Sequence, residues 1–301
     1  MEHARYIIVG GGVAGTVAAE TLRTQDAESR IVIVSAEDHP LYSRVLLPKY
    51  VKGKIPREKL FLRTWEQYAA KNIEVLRGRT VVSVDADAHV LTLDDGSKWQ
   101  YEKLLVATGG DATVPPPFAG LPHILPFRTL AHAEVIRAEV ERVASLPADM
   151  RRAAVVGGGF IALELPPFFE PHGIETHLLL RGSRYWQRTV TPEGSAVIEK
   201  LLESHGVIIR RNVEVEGLEE TSDGLTLTLT DGSTLLVGAI GIGLGLTSVA
   251  PENVPLDAGI PADSQLATEL TDVWTAGDVA EFDDVISGRR RKIGNWLNAD
   301  Q

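Results

Sequence analysis

The chain has 301 residues, is 44% apolar, and carries 41 acidic against 30 basic residues for a formal net charge of −11 at pH 7. That length suits two domains with properly buried cores, and the negative balance argues against nucleic acid as a partner, because phosphate binding needs a basic surface. No cysteine occurs, which excludes disulfides, thiolate metal sites, iron–sulfur ligation and a cysteine nucleophile from this chain. Met1 to Arg5 leads directly into an apolar strand with no signal-peptide pattern, and no apolar run approaches the ~18 residues of a membrane span. A cytoplasmic location without membrane attachment is expected.

The opening stretch Tyr6-Ile-Ile-Val-Gly10-Gly-Gly12-Val13-Ala14-Gly15 reads as a buried strand, a glycine-rich turn and the start of a helix. Gly10 allows the tight turn, Gly12 lets the backbone approach a pyrophosphate, and Gly15 lets the helix lie close on the strand. The free N–H groups and partial positive charge of the helix N-terminus then face the anion. One such pattern also serves as a plain turn, but its context is specific. A helix from Val13 to Arg23 leads to the strand Ile31-Val-Ile-Val34, and Glu37 follows where an acid accepts hydrogen bonds from ribose hydroxyls.

Asp38 to Lys49 mixes prolines with polar residues and predicts a loop with a short helix. Arg44 and Lys49 are two cations near a dinucleotide site, suited to phosphate or to polarising a ring, and equally to a solvated surface. Lys71 to Asp95 alternates apolar and polar residues through Val81-Val-Ser-Val84 and Val90-Leu-Thr-Leu93 and turns at Asp94-Asp-Gly96, predicting an antiparallel hairpin or small three-stranded insert. The strand Leu104-Leu-Val-Ala107 ends in Thr108-Gly109-Gly110, small residues that let a cofactor approach. Pro115-Pro-Pro117 marks a domain exit.

A helix is predicted from Leu130 to Leu146, followed by a second copy of the opening pattern, Ala153-Ala-Val-Val156-Gly157-Gly-Gly159-Phe160-Ile161-Ala162. Two copies are far more specific than one. Alanine at the third glycine position is an allowed variant. Pro166-Pro167 should stop or kink the helix near Leu165, since an interior proline costs roughly 3 kcal/mol. Leu180 stands where an acid would read the 2′-hydroxyl of NAD. Arg181 and Arg184 are placed to meet a 2′-phosphate instead, which weakly favours NADPH, with two solvated arginines an equal alternative. Val213 to Leu236 predicts a further antiparallel hairpin turning at Asp231-Gly232, and Gly238 to Gly245 a strand leading back to the first domain. Gly277-Asp278 follows the short strand Val273-Trp-Thr275 and offers a carboxylate for sugar-like hydroxyls or a turn cap. Arg289-Arg-Arg-Lys292 reads as a solvated loop.

Together these motifs resemble the FAD-dependent pyridine-nucleotide oxidoreductases, with the nearest likeness to ferredoxin and rubredoxin reductases and the flavin portion of nitrite reductases. The resemblance covers nearly the whole chain. It implies an α/β protein of two Rossmann-like domains carrying small antiparallel β inserts, the second domain inserted into the first: an FAD domain over 1–115 and 245–301, and an NAD(P) domain over 116–244. It further implies that Asp278 binds the ribityl chain, that Arg44 and Lys49 lie along the flavin and its phosphates, that Arg128 in Phe-Arg-Thr also approaches FAD, and that Val81 meets the adenine. Glu164 matches an acid that neighbours the nicotinamide, and Lys49 and Glu164 are the expected residues at the reacting rings. Ser43 stands in the region where some relatives carry a redox cysteine. Relatives also continue past a stretch like Trp296-Leu-Asn-Ala-Asp-Gln301 into an interface domain.

The activity implied is reduction of FAD by NADH or NADPH, with electrons passing to a ferredoxin, a rubredoxin, a haem protein or a small acceptor. The alternative is an FAD-binding subunit whose nicotinamide site no longer works, motivated by Pro166-Pro167 and Leu180.

Overall fold

The computed structural model describes residues 1–221, 224–284, 286–294 and 299. The stretch 296–301 noted above lies, Ala299 apart, outside the described residues. The chain divides into two compact units, one made of Met1–Ser43, Phe61–Asp111 and Thr247–Gln301, the other of Arg44–Leu60 and Ala112–Leu246.

The first unit is built on a seven-stranded sheet. Glu2–Val9 runs parallel to Ile31–Ser35 on one side, with Ile8 opposite Ile33, and to Lys98–Val106 on the other, with Ile8 opposite Leu105. Ile73–Arg77 and Val273–Thr275 extend the parallel part. All five residues of Ile31–Ser35 are buried, as expected for a strand covered on both faces. Period-two alternation divides the core: Ile7, Val9, Val32, Val34 and Leu104 face one side, Ile8, Ile31, Ile33 and Ile73 the other. The helix Val13–Gln25 contributes Ala19 to this second face. The antiparallel insert forms from Val81–Asp85 and Val90–Leu93, and it is continuous with the main sheet because Val90–Thr92 pair with Lys98–Gln100. Ile73–Arg77 is not part of that insert, since its partner is the parallel strand Ile31–Ser35. Arg289–Lys292 is a strand rather than a loop: it pairs antiparallel with Ala280–Asp284, placing Arg290 opposite Asp283 and Arg289 opposite Asp284, where opposite charges favour pairing.

The second unit has five parallel strands in the order Val207–Arg211, Glu175–Leu180, Arg152–Val156, Ala239–Ile242 and Ile124–Pro126. The three-stranded antiparallel sheet Val215–Thr221, Gly224–Leu229 and Thr234–Val237 packs Leu225, Leu227 and Leu229 onto Ala154, Leu179 and Ile240. The helix Leu130–Ala144 buries Leu130, Ala133, Ile136, Val140 and Val143 at helical spacing and starts from a capping box between Thr129 and His132. The segment Arg44–Leu60 clusters with this second unit, whereas the sequence predicts it to lie with the first. The short helix Leu47–Val51 contacts Leu130–Ala144. Arg137 stacks 4.8 Å over the Tyr50 ring, and Arg57 Nε donates to Glu134 Oε1 at 2.9 Å.

The helix after the second glycine turn ends at Glu164, and a separate short helix, Pro166–Phe169, follows. Pro166 and Pro167 occupy the first turn of the new helix, where the missing N–H groups have no intrahelical partner to lose.

Candidate functional site

Both units carry the same strand, turn and helix, and the backbone closes the two turns in the same way. Gly10 N donates to Val34 O at 2.8 Å and Gly157 N to Leu179 O at 3.2 Å. Ala107 N donates to Val9 O and Gly243 N to Val156 O, each at 2.8 Å. Gly10 and Gly157 have φ of +119° and +130°, values at which a side chain is strained. A Cβ on Gly10 would also strike the Ala107 carbonyl, and one on Gly157 the Gly243 carbonyl. A methyl group has changed sides between the two copies: the first combines Gly15 on the helix with Ala107 at the strand end, the second combines Ala162 with Gly243. Alanine fits at 162 because Gly243 has no side chain; a Cβ there would lie 2.6 Å from both the Cβ and the N of Ala162.

In the first unit, Gly12 caps the helix Val13–Gln25, so Val13, Ala14 and Gly15 present its first N–H groups beside the turn. Glu37 is half-buried, and the Tyr42 hydroxyl donates to its Oε2 at 2.7 Å. Thr108 Oγ1 donates to the Val249 carbonyl, and Gly109 O accepts from Val249 N at 3.3 Å, fixing the strand-end loop. Thr275 Oγ1 donates to Val106 O at 3.0 Å, and a Cβ on Gly277 would lie 3.0 Å from Ala14 Cβ. Asp278, the residue after Gly277, is therefore carried next to the first turn of that helix. The side chain of Val81 is buried in the core, which leaves its main chain as the part to meet a ligand.

These residues fit a dinucleotide: a helix N-terminus over a turn cleared of side chains for a pyrophosphate, Glu37 for a ribose, and Asp278 for further hydroxyls.

The second unit opens a cleft of about 610 Å³ beside Gly157 and Gly158, lined by Leu180, Arg181, Arg184 and Trp186 among others. Arg184 holds the cleft wall rather than pointing free: Nη1 donates to Val190 O and Ser195 Oγ, both at 2.7 Å, and Nη2 to Gln187 O at 2.9 Å. Arg181 is exposed and lines the cleft. Leu180 is 2% exposed. The Tyr185 hydroxyl donates to the Gly159 carbonyl, and burial pushes its ionisation well above the usual tyrosine range. Phe160, otherwise exposed, meets Trp186 edge to face at 4.2 Å, and Ile161 is half-buried beside it. Glu164 keeps access to solvent, yet the protein packed around it raises its carboxyl above the usual range, opposed by the positive charge of Lys52. Lys49, three residues earlier, is exposed on the short helix, so the cation acting on Glu164 is Lys52. Arg44 is half-buried in the turn Arg44–Leu46, and Arg128 is half-buried next to the helix cap Thr129.

Residues 4–301 match the family model described as pyridine nucleotide-disulphide oxidoreductase. The chain belongs to this family. Among its relatives, putidaredoxin reductase of Pseudomonas putida is 32% identical over 97% of this chain and 71% of that protein. The 5,5'-dehydrodivanillate O-demethylase ferredoxin reductase subunit of a Sphingobium strain is 31% identical over 100% of this chain and 73% of that one. The crystal structure of the covalent putidaredoxin reductase–putidaredoxin complex matches with a TM-score of 0.90 at 29% identity, covering 99% of this chain and 73% of that one. The chain is thus an α/β flavoprotein oxidoreductase of the family, and having no cysteine it carries no redox disulfide of its own. Among the described residues, no helix is long and apolar enough to cross a membrane.

Among the cleft residues that sequence reasoning missed are Trp186, Arg188 and Glu214. Trp186 and Arg188 lie in an irregular loop with no periodicity to read. Glu214 precedes an alternating strand, and the pattern was legible there: Val213 is buried and Glu214 exposed.

Proposed function

We propose that the first unit binds FAD and the second NADH or NADPH, and that the protein passes reducing equivalents from the nicotinamide to a protein acceptor. The observation that carries this reading is the duplicated turn, closed by the same backbone bonds in both units. The two sites support these domain roles. Glu37 and Asp278 accompany the first turn, while the cleft with Arg181 accompanies the second. Bound FAD would supply the hydride acceptance and one-electron release that no side chain here provides. The chain's own residues bind and orient: Gly10 to Gly15 cradle the pyrophosphate, Glu37 accepts from ribose, and Asp278 accepts from a ribityl hydroxyl. Glu164 closes the short helix Phe160–Glu164 just before the proline interruption and stands beside the nicotinamide in this reading, its carboxyl raised above the usual range by burial. Lys49, Arg44 and Arg128 are assigned to the flavin and its phosphates by resemblance alone.

The basis for a preference for NADPH is reduced, because Arg184 is engaged by the loop and of that pair Arg181 alone stands exposed at the cleft. A ferredoxin-type or rubredoxin-type acceptor is supported by relatives named as ferredoxin reductases and, in Escherichia coli, as nitric oxide reductase FlRd-NAD(+) reductase.

The test is anaerobic titration of the FAD-loaded protein with NADH and with NADPH while flavin bleaching is followed. Bleaching at nucleotide concentrations near stoichiometric supports the reading. FAD-loaded, folded protein that neither nucleotide bleaches would reassign the chain as a flavin-binding subunit.

A further inference from the structure

The cleft of the second unit lacks the acid expected at the end of its second strand, since Leu180 holds that position with its side chain buried. The adjacent loop supplies a carboxylate instead. Val213 N donates to Leu180 O at 3.0 Å and Asn212 N to Gly182 O at 3.1 Å, so the backbone after Val207–Arg211 is stapled directly to the strand-end turn Leu180–Gly182. Val213 turns its side chain into the core at 4% exposure. Along an extended chain the next residue faces the opposite way, and Glu214 is exposed and lines the cleft. Its backbone is also fixed on the far side: Glu214 N donates to Thr230 Oγ1 at 3.1 Å, and Glu214 O accepts from Thr230 N at 3.0 Å.

We infer that Glu214 replaces the missing strand-end acid, accepting hydrogen bonds from the adenosine ribose hydroxyls of NADH and disfavouring a 2′-phosphate by charge. The inference rests on the proposed nucleotide role of this cleft. Three arginines line the same cleft, Arg181, Arg184 and Arg188, so the outcome depends on which charge is held in place. Arg184 is engaged by the loop. Arg181 and Arg188 are exposed, and ordering such long side chains forfeits their rotamer freedom. Glu214 carries a shorter side chain than either arginine, on a backbone tied at Val213, at its own N–H and at its own carbonyl, so fewer rotatable bonds are ordered when its carboxylate engages a ligand.

The experiment titrates the full chain with ADP-ribose and with 2′-phospho-ADP-ribose by calorimetry, which needs neither flavin nor turnover. The wild type should bind ADP-ribose more tightly. Glu214→Gln, an isosteric change at an exposed position, should weaken ADP-ribose binding about tenfold and leave 2′-phospho-ADP-ribose unweakened. Glu214→Lys should reverse the preference. Unchanged affinities in both variants, or an equal loss for both ligands, would overturn the assignment of Glu214. A folded wild type that binds neither ligand would overturn the nucleotide reading of the cleft and the inference with it.

Discussion

Ala162 and Gly243 meet so closely that a side-chain carbon on Gly243 would stand 2.6 Å from Ala162 Cβ and 2.7 Å from its Cα. The second helix can carry a methyl group at its third glycine position only because the facing strand end carries none. Gly243→Ala is therefore expected to destabilise the protein by about 1–3 kcal/mol through overpacking. Ala162→Gly added to it should restore part of the loss, since it removes the methyl contact but leaves the contacts with the N and Cα of residue 162. Thermal unfolding of Gly243→Ala, Ala162→Gly and the double variant measures this; additive losses would show that the two positions do not share one space.

Asp278 follows Gly277, which packs on Ala14 at the start of the first helix. Asp278→Ala should lower FAD affinity by ~1.5–3 kcal/mol, the worth of a charge-assisted hydrogen bond. Flavin retention on gel filtration and titration of the apoprotein with FAD report it. FAD binding as tight as in the wild type would return Asp278 to the part of a turn residue.

The two arginines of the second cleft should behave differently. Arg184→Ala removes the donor that serves Val190 O, Gln187 O and Ser195 Oγ. It is expected to cost about 1–3 kcal/mol of stability and to weaken NADH and NADPH alike as the wall loosens. Arg181→Ala should leave stability unchanged and, at most, weaken NADPH. Melting temperatures paired with flavin reduction by each nucleotide separate these outcomes, and a stable Arg184→Ala protein with a loss confined to NADPH would contradict them.

Glu20 gives the first unit an acid-sensitive anchor. Arg63 Nε and Nη2 donate to its two oxygens at 2.8 and 2.9 Å, and Lys71 Nζ lies 2.8 Å from Oε1. The Arg63 hydrogen bond, helped by Lys71, lowers the carboxyl from 4.5 to about 2. With the folded pKa below the unfolded one, the stabilisation is complete above pH 4.5 and is lost as pH falls toward 2. Glu20→Gln should reduce stability by about 1–2 kcal/mol at pH 7, allowing for the partial exposure of both cations, and the difference from wild type should shrink as pH falls from 4.5 toward 2. Denaturant unfolding at pH 7, 4 and 3 checks this, and a constant difference across that range would count against it.

Local signals fixed much of the design in advance. The glycine turns, the apolar runs Ile31–Ser35 and Glu175–Leu180, the period-two segments around Val90 and Leu225, and the proline stop at Leu165 are each legible because strand and helix periodicity, turn chemistry and the missing proline N–H act over a few residues. Tertiary structure decided the matters that depend on partners remote in sequence. Arg44–Leu60 joined the second unit because Tyr50 and Arg57 found Arg137 and Glu134; Ile73–Arg77 joined the parallel sheet because Ile31–Ser35 offered it an edge. Arg181 and Arg184 are alike in sequence, and only the folded loop gives one to the cleft and the other to the carbonyls of its own wall. Glu214 lies 34 residues beyond Leu180 and comes beside it through backbone hydrogen bonds from Val213 to Leu180 and from Asn212 to Gly182, a proximity that no local pattern encodes because it arises from the pairing of neighbouring parallel strands.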